Sequence, residues 1–161
     1  MIRHARAADH PAIAATVEAA FGRADEARLV ERLRAGQDVL FELVAVEDGE
    51  VTGHVLFSRL YADRPELIAA LAPLAVRPDR QAAGVGSALV KAGLENAREF
   101  GAWGVIVLGE PAYYGRFGFS AETAARVKAP YSGRPAFQAV ALEDGVFDRP
   151  MLVAYPDAFA G

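Results

Sequence analysis

The stretch from Leu67 to Phe100 limits this chain more than any other. Leu67 to Val76 is almost wholly apolar and ends at Arg77-Pro78. A polar turn leads into Gln81-Ala82-Ala83-Gly84-Val85-Gly86-Ser87, and the apolar positions Val85, Leu89, Val90, Leu94, Ala97 and Phe100 then recur at helical spacing until Gly101. Strand, glycine loop and helix follow in that order. Such a junction aims several backbone N–H groups and the positive end of a helix dipole at one point, which suits a phosphate. The kind of phosphate is narrowed by what is missing. A P-loop needs a lysine beside the second glycine, and the only lysines are Lys91 and Lys128. A dinucleotide fingerprint needs a third glycine where Leu89 stands, and Glu110 lies far along for its acidic ribose partner.

The remaining segments fit a mixed α/β domain. Ile2 to Arg6 reads as a first strand, and Asp9 and Pro11 mark the start of a helix ending at Gly22. A second helix runs from Asp25 to Arg34 with Leu29, Val30 and Leu33 as its apolar stripe. Leu40–Val46 and Val51–Leu60 flank the turn Glu47-Asp48-Gly49-Glu50 and predict a hairpin. Tyr61 to Glu66 reads as a loop. The Leu67–Val76 run is a central strand covered on both faces, and Pro73 inside it predicts a bulge or a splay from one neighbour, because proline cannot donate to the ladder. Trp103–Leu108 is a further buried strand, so that strand, helix and strand form a parallel crossover. After a short helix at Pro111–Phe117, Phe137–Leu142 and Met151–Tyr155 read as strands, the last completing the sheet or pairing with a neighbouring chain. The expected fold is a mostly antiparallel mixed sheet of about six or seven strands with about four helices and a splayed central strand.

Bulk properties exclude several classes. The 161 residues suffice for one domain, spanning 1–161, and 53% apolar content argues against disorder. No apolar run is long enough to span a membrane, and the N-terminus lacks a leader-like apolar core. The net charge of −4 argues against a general nucleic-acid binder. The absence of cysteine removes disulfides and thiolate metal sites and fits a reducing cytoplasm. His4, His10 and His54 are scattered, so no metal site is expected.

Three pieces together resemble the GNAT superfamily of acetyl-CoA-dependent N-acetyltransferases. They are Pro73-Leu74-Ala75-Val76-Arg77-Pro78, Gln81 to Leu89, and Tyr113-Tyr114-Gly115-Arg116-Phe117-Gly118-Phe119. Leu71 to Phe119 is similar in particular to a bacterial branch of YhbS type, including Val107-Leu108-Gly109-Glu110-Pro111. The resemblance implies that backbone N–H groups of Gln81, Ala82, Ala83, Gly84, Val85, Gly86 and Ser87 hold the pyrophosphate of coenzyme A. Ala82 departs from the family pattern, where glycine is frequent. It also implies that Leu74, Ala75 and Val76 line the thioester and stabilise its oxygen. Arg77 and Arg80 lie close enough in sequence to add charge.

The implied reaction is direct transfer of acetyl from acetyl-CoA to a primary amine of a small molecule or protein. Tyr114, four residues before Gly118, is the candidate acid for the leaving thiolate, with Tyr113 as its competitor. A phenol near pKa 10 facing a thiol near 8.5 is uphill by about 2 kcal/mol, small beside the barrier. Glu110 is the candidate base; Glu42, His54 and bulk water are alternatives. In the family, segments corresponding to Phe21–Gly36, Tyr61–Glu66 and Tyr131–Phe137 shape the acceptor site. A non-catalytic acyl-CoA-binding module on the same fold and a homodimeric assembly both remain open at this level.

Overall fold

In the computed structural model, which describes residues 1–160, the chain opens with β1 (Ile2–His4), α1 (His10–Phe21) and α2 (Asp25–Ala35). β2 (Val39–Glu47), β3 (Glu50–Arg59), β4 (Tyr61–Ala62) and β5 (Leu67–Val76) follow. Next come α3 (Val85–Phe100), β6 (Ala102–Leu108) and the short α4 (Pro111–Tyr114), then β7 (Val127–Lys128), β8 (Phe137–Ala141) and β9 (Met151–Ala154). Six strands form the main sheet in the order β1-β2-β3-β5-β6-β8, and its only parallel pair is β5 with β6. β4, β9 and β7 form a second sheet of three short strands.

Both faces of the main sheet are covered, which is why β5 reads as a continuous apolar run. On one face α3 sets Leu89, Val90 and Ala97 against Phe41, Phe57 and Val105. On the other, Ile13 and Val17 of α1 meet Val44 and Ala75, while Val30 and Leu33 of α2 meet Leu56. Each fully buried Val, Leu, Ile or Phe among them contributes roughly 2 kcal/mol.

Pro73 acts as the sequence implied. Along β3, Val55 and Phe57 pair with Leu74 and Leu71, so β5 carries one extra residue at Ala72-Pro73. Pairing of β5 with β6 runs only from Leu67–Ala102 to Ala70–Ile106; beyond Ala70 the two strands part. The bulge against β3 thus sits at the residue that has no N–H to give that ladder, while the parting from β6 begins three residues earlier, after Ala70.

Four expectations need correction. Tyr61 and Ala62 are not loop but strand, paired with Ala154 and Val153. β9 does not complete the main sheet: β4 and β7 hold its two edges. Trp103 is 41% exposed: its neighbours Ala102 and Gly104 are buried, and strand alternation turns the indole outward between them. Asp9 does not cap α1 with its side chain; the carboxylate accepts from the Arg3 guanidinium (2.7 and 2.9 Å) and the Arg6 N–H (2.7 Å).

Candidate active site

The glycine loop is built as an anion cradle. Ala82 (φ +65°) and Gly84 (φ +86°) both turn through left-handed conformations, which reverses the chain into α3. The first helical bond comes from the Ala88 N–H to the Gly84 carbonyl (3.0 Å), so the N–H groups of Val85, Gly86 and Ser87 precede the ladder and point out of the helix end. Gly86 has its own reason to be glycine: a Cβ there would lie 2.9 Å from the Tyr113 hydroxyl and 3.4 Å from Val76. Gln81 supports the cradle from behind, donating from its side-chain amide to the Val76 carbonyl (3.1 Å).

A cleft of about 480 Å³ opens over this loop, lined by Leu74, Val76, Gln81, Ala82, Gly84, Gly86 and Ser87, with Ala20 and Phe21 from the end of α1. Its opposite side holds Tyr113 and Arg116. The Arg116 guanidinium lies over the Tyr113 ring (4.7 Å) and donates to Ser87 Oγ (3.1 Å). No carboxylate among the described residues comes within 4.0 Å of it. Arg80, which also lines the cleft, is engaged by Glu47 (2.6 Å). Arg77 is held by Asp79 (2.7 Å) and Glu50 (3.2 Å). The cation most available to an anion is therefore Arg116, which sequence reasoning did not single out.

A second cleft of about 330 Å³ fills the gap between the parted strands. Ala70 to Leu74, Ile106 and Leu108 line it, with Tyr114 beside them, and it shares Phe21 and Leu74 with the first cleft. Backbone direction in the gap follows from the ladder. The Arg77 N–H donates to the Thr52 carbonyl on β3 (2.8 Å), so by strand alternation the Ala75 N–H faces β3 too. Leu74 and Val76 then turn their N–H groups the other way, toward the gap, where no strand consumes them.

Tyr113 and Tyr114 face different clefts. Tyr114 packs edge-on against Tyr113 (5.0 Å) and Phe119 (5.8 Å), and its ring covers Gly109 so closely that a Cβ there would collide with it. Burial pushes its phenol up to about 12, with a smaller contribution from Tyr113. The hydroxyl thus keeps its proton throughout the neutral and alkaline range in which an amine can attack.

The candidate bases stand elsewhere. Glu110 is the exposed N-cap of α4 and lines neither cleft. Glu42 accepts a bidentate pair from Arg34 (2.9 and 2.8 Å) and a bond from His54 Nε2 (2.8 Å), and none of the three lines the clefts. Burial tends to raise the Glu42 carboxyl, but the hydrogen bonds from Arg34 and His54 prevail and bring it down to about 2. Burial pushes the His54 imidazole down, so it sits neutral beneath α1 and α2 with Nδ1 unbonded. These residues form a polar network between the hairpin and α2. Among the described residues no group of three or more His, Cys, Asp or Glu could hold a metal ion, and no helix is long and apolar enough to cross a membrane.

Residues 4–119 match the family model described as Acetyltransferase (GNAT) family. The chain belongs to that family. It is 37% identical over 139 residues to the uncharacterized N-acetyltransferase YhbS of Escherichia coli K12, covering 84% of this chain and 83% of the relative. A crystal structure of E. coli YhbS in complex with CoA superposes with a TM-score of 0.92 at 34% identity, covering 100% of this chain and 92% of that one. A GNAT acetyltransferase from Brucella melitensis in complex with acetyl-CoA gives a TM-score of 0.83 at 34% identity, covering 99% and 97%. The GNAT fold and acetyltransferase class are thereby settled. Of the expected acceptor segments, Phe21, Glu26, Leu29 and Tyr131 line the second cleft. Tyr61 to Glu66 do not; Tyr155 and Phe159, from the far end of the chain, do.

Proposed function

We propose that this single-domain GNAT enzyme transfers acetyl from acetyl-CoA directly to a primary amine in a ternary complex. The observation that carries the reading is the junction of the two clefts at Phe21 and Leu74, with an anion cradle on one side and Tyr114 on the other. CoA and acetyl-CoA in the two relatives above support the choice of co-substrate. So does the fit of this chain's own residues: unspent N–H groups before Ala88, a glycine kept bare beneath Tyr113, and an Arg116 with no carboxylate partner.

In this reading the N–H groups from Ala82 to Ser87 and the Arg116 guanidinium hold the pyrophosphate, the Gln81 N–H being turned to the Pro78 carbonyl (3.5 Å). The N–H groups of Leu74 and Val76 donate to the thioester oxygen as it gains charge, and Ala75 fixes their direction through its bond to β3. Acetyl-CoA supplies the activated acetyl carbon. The C–N bond to the neutral amine forms and the C–S bond breaks; nitrogen gives up one proton, and Tyr114 delivers one to sulfur. Because Glu110 lines neither cleft, it reaches the nitrogen's proton only through water, with bulk solvent as the competing acceptor.

A thermal-shift panel tests the reading. Acetyl-CoA and CoA raise the melting temperature, whereas NAD, FAD and ATP do not. No shift at millimolar acetyl-CoA would overturn it.

A further inference from the structure

The walls of the second cleft select among acceptors, an inference that rests on the acetyl-transfer reading above. Beyond Tyr114 and the sheet residues, those walls hold four aromatic rings, Phe21, Tyr131, Tyr155 and Phe159, with Leu29 and Glu26 of α2. Tyr131 meets Tyr155 edge-on (5.5 Å, 82°), and Tyr155 meets Phe159 edge-on (5.1 Å, 72°). Phe21, 41% exposed at the end of α1, forms the lip shared with the first cleft. Glu26 is the only ionisable side chain in the lining apart from the phenols. Its carboxylate is already engaged by Arg23 (2.9 and 2.5 Å), which holds it below its ordinary range as an anion. The volume of about 330 Å³ lies at the small end of ligand pockets.

We infer that the acceptor is a small monoamine bearing one aromatic group, of phenylethylamine to tryptamine size. Its ring lies among Phe21, Tyr131, Tyr155 and Phe159, whose rings favour aromatic contacts. Its nitrogen lies toward Tyr114, where it accepts the acetyl group leaving sulfur and releases one proton to solvent. Before deprotonation the ammonium is met by the ring faces, the one carboxylate of the lining, Glu26, being already paired with Arg23. A polyamine would bury further cations with no carboxylate to meet them, and an aminosugar would strip its hydroxyls of water against apolar walls. The cleft therefore excludes both.

The experiment has two arms. Calorimetry first measures acetyl-CoA affinity alone, which tests the acetyl-transfer reading and not the acceptor class. Binding of 2-phenylethylamine, tryptamine, spermidine and glucosamine to the CoA-saturated protein is then measured, with kcat/KM for each amine. The two arylalkylamines bind and turn over about tenfold or more better than the other two. Phe159→Ala, and the milder Phe159→Leu, raise KM for 2-phenylethylamine about tenfold and about threefold, with acetyl-CoA affinity unchanged. Equal or better use of spermidine or glucosamine overturns the assignment while leaving acetyl transfer intact. So does failure of both arylalkylamines to bind at millimolar concentration, or an unchanged KM in both Phe159 variants.

Discussion

Replacing Tyr114 with phenylalanine removes one oxygen and little else. The ring still covers Gly109 and keeps its edge-on contacts with Tyr113 and Phe119, so neither the loop nor the splay should move. The cost to catalysis follows from the environment of the phenol. Burial holds it at about 12, against about 8.5 for a free thiol, so complete transfer to the thiolate would be uphill by about 5 kcal/mol. This is steeper than the roughly 2 kcal/mol that unperturbed values give. The proton therefore moves in step with breaking of the C–S bond, and a positioned acid of this kind is worth roughly 10²–10⁴ in rate. Tyr114→Phe should lower kcat by about 100-fold or more while the acetyl-CoA Kd stays within about twofold. Thiol release, followed with the best acceptor of an amine panel, measures the first quantity and calorimetry the second. The wild-type pH profile should show no descending limb from Tyr114 below about pH 11. Turnover within about threefold of wild type, or an alkaline limb near pH 8–9 that vanishes in the variant, would refute the reasoning.

Other residues give independent tests. Arg116→Ala should weaken acetyl-CoA binding about 10- to 100-fold by removing a charge-assisted bond, and should flatten the salt dependence seen by calorimetry. Ala82→Gly relieves a left-handed alanine (φ +65°) and should stabilise the fold by about 1 kcal/mol, raising Tm by about 2–4 °C; a fall in Tm would contradict it. Glu42→Gln breaks the buried contacts with Arg34 and His54 and should cost about 3 kcal/mol in urea unfolding at pH 7. The Glu42 carboxyl is depressed on folding, so its contribution stands above the ordinary value near pH 4.3 and is lost as pH falls toward about 2. Wild type should therefore lose more stability between pH 5 and pH 2.5 than the glutamine variant does.

What the sequence revealed and what it hid have physical causes. The hairpin, the cradle and the bulge rest on local chemistry: alternation around Asp48-Gly49, glycines before a helix, and a proline in an apolar strand. Such signals need no knowledge of the tertiary path. β4 and β7 have two residues each, too few to show a period, and β9 looks the same whichever sheet it joins. Tyr155 and Phe159 reach the second cleft only because β9 crosses back beside β4, a closure made across most of the chain. Arg116 was visible in the tyrosine motif, but its role depends on the stacking over Tyr113 that aims it at Ser87. Glu42 and His54 looked like candidate bases as individual residues; the Arg34 of α2 that fixes their state lies on a separate element.

The most direct test is a backbone amide NMR titration with CoA. Saturation should shift the amides of Leu74, Val76 and residues 82–87 most strongly, because those N–H groups face the two clefts and have no partner in the ladders. Shifts centred on Lys128, Ala129 and Leu152, which line a separate cleft, or no shifts at all, would contradict the assignment.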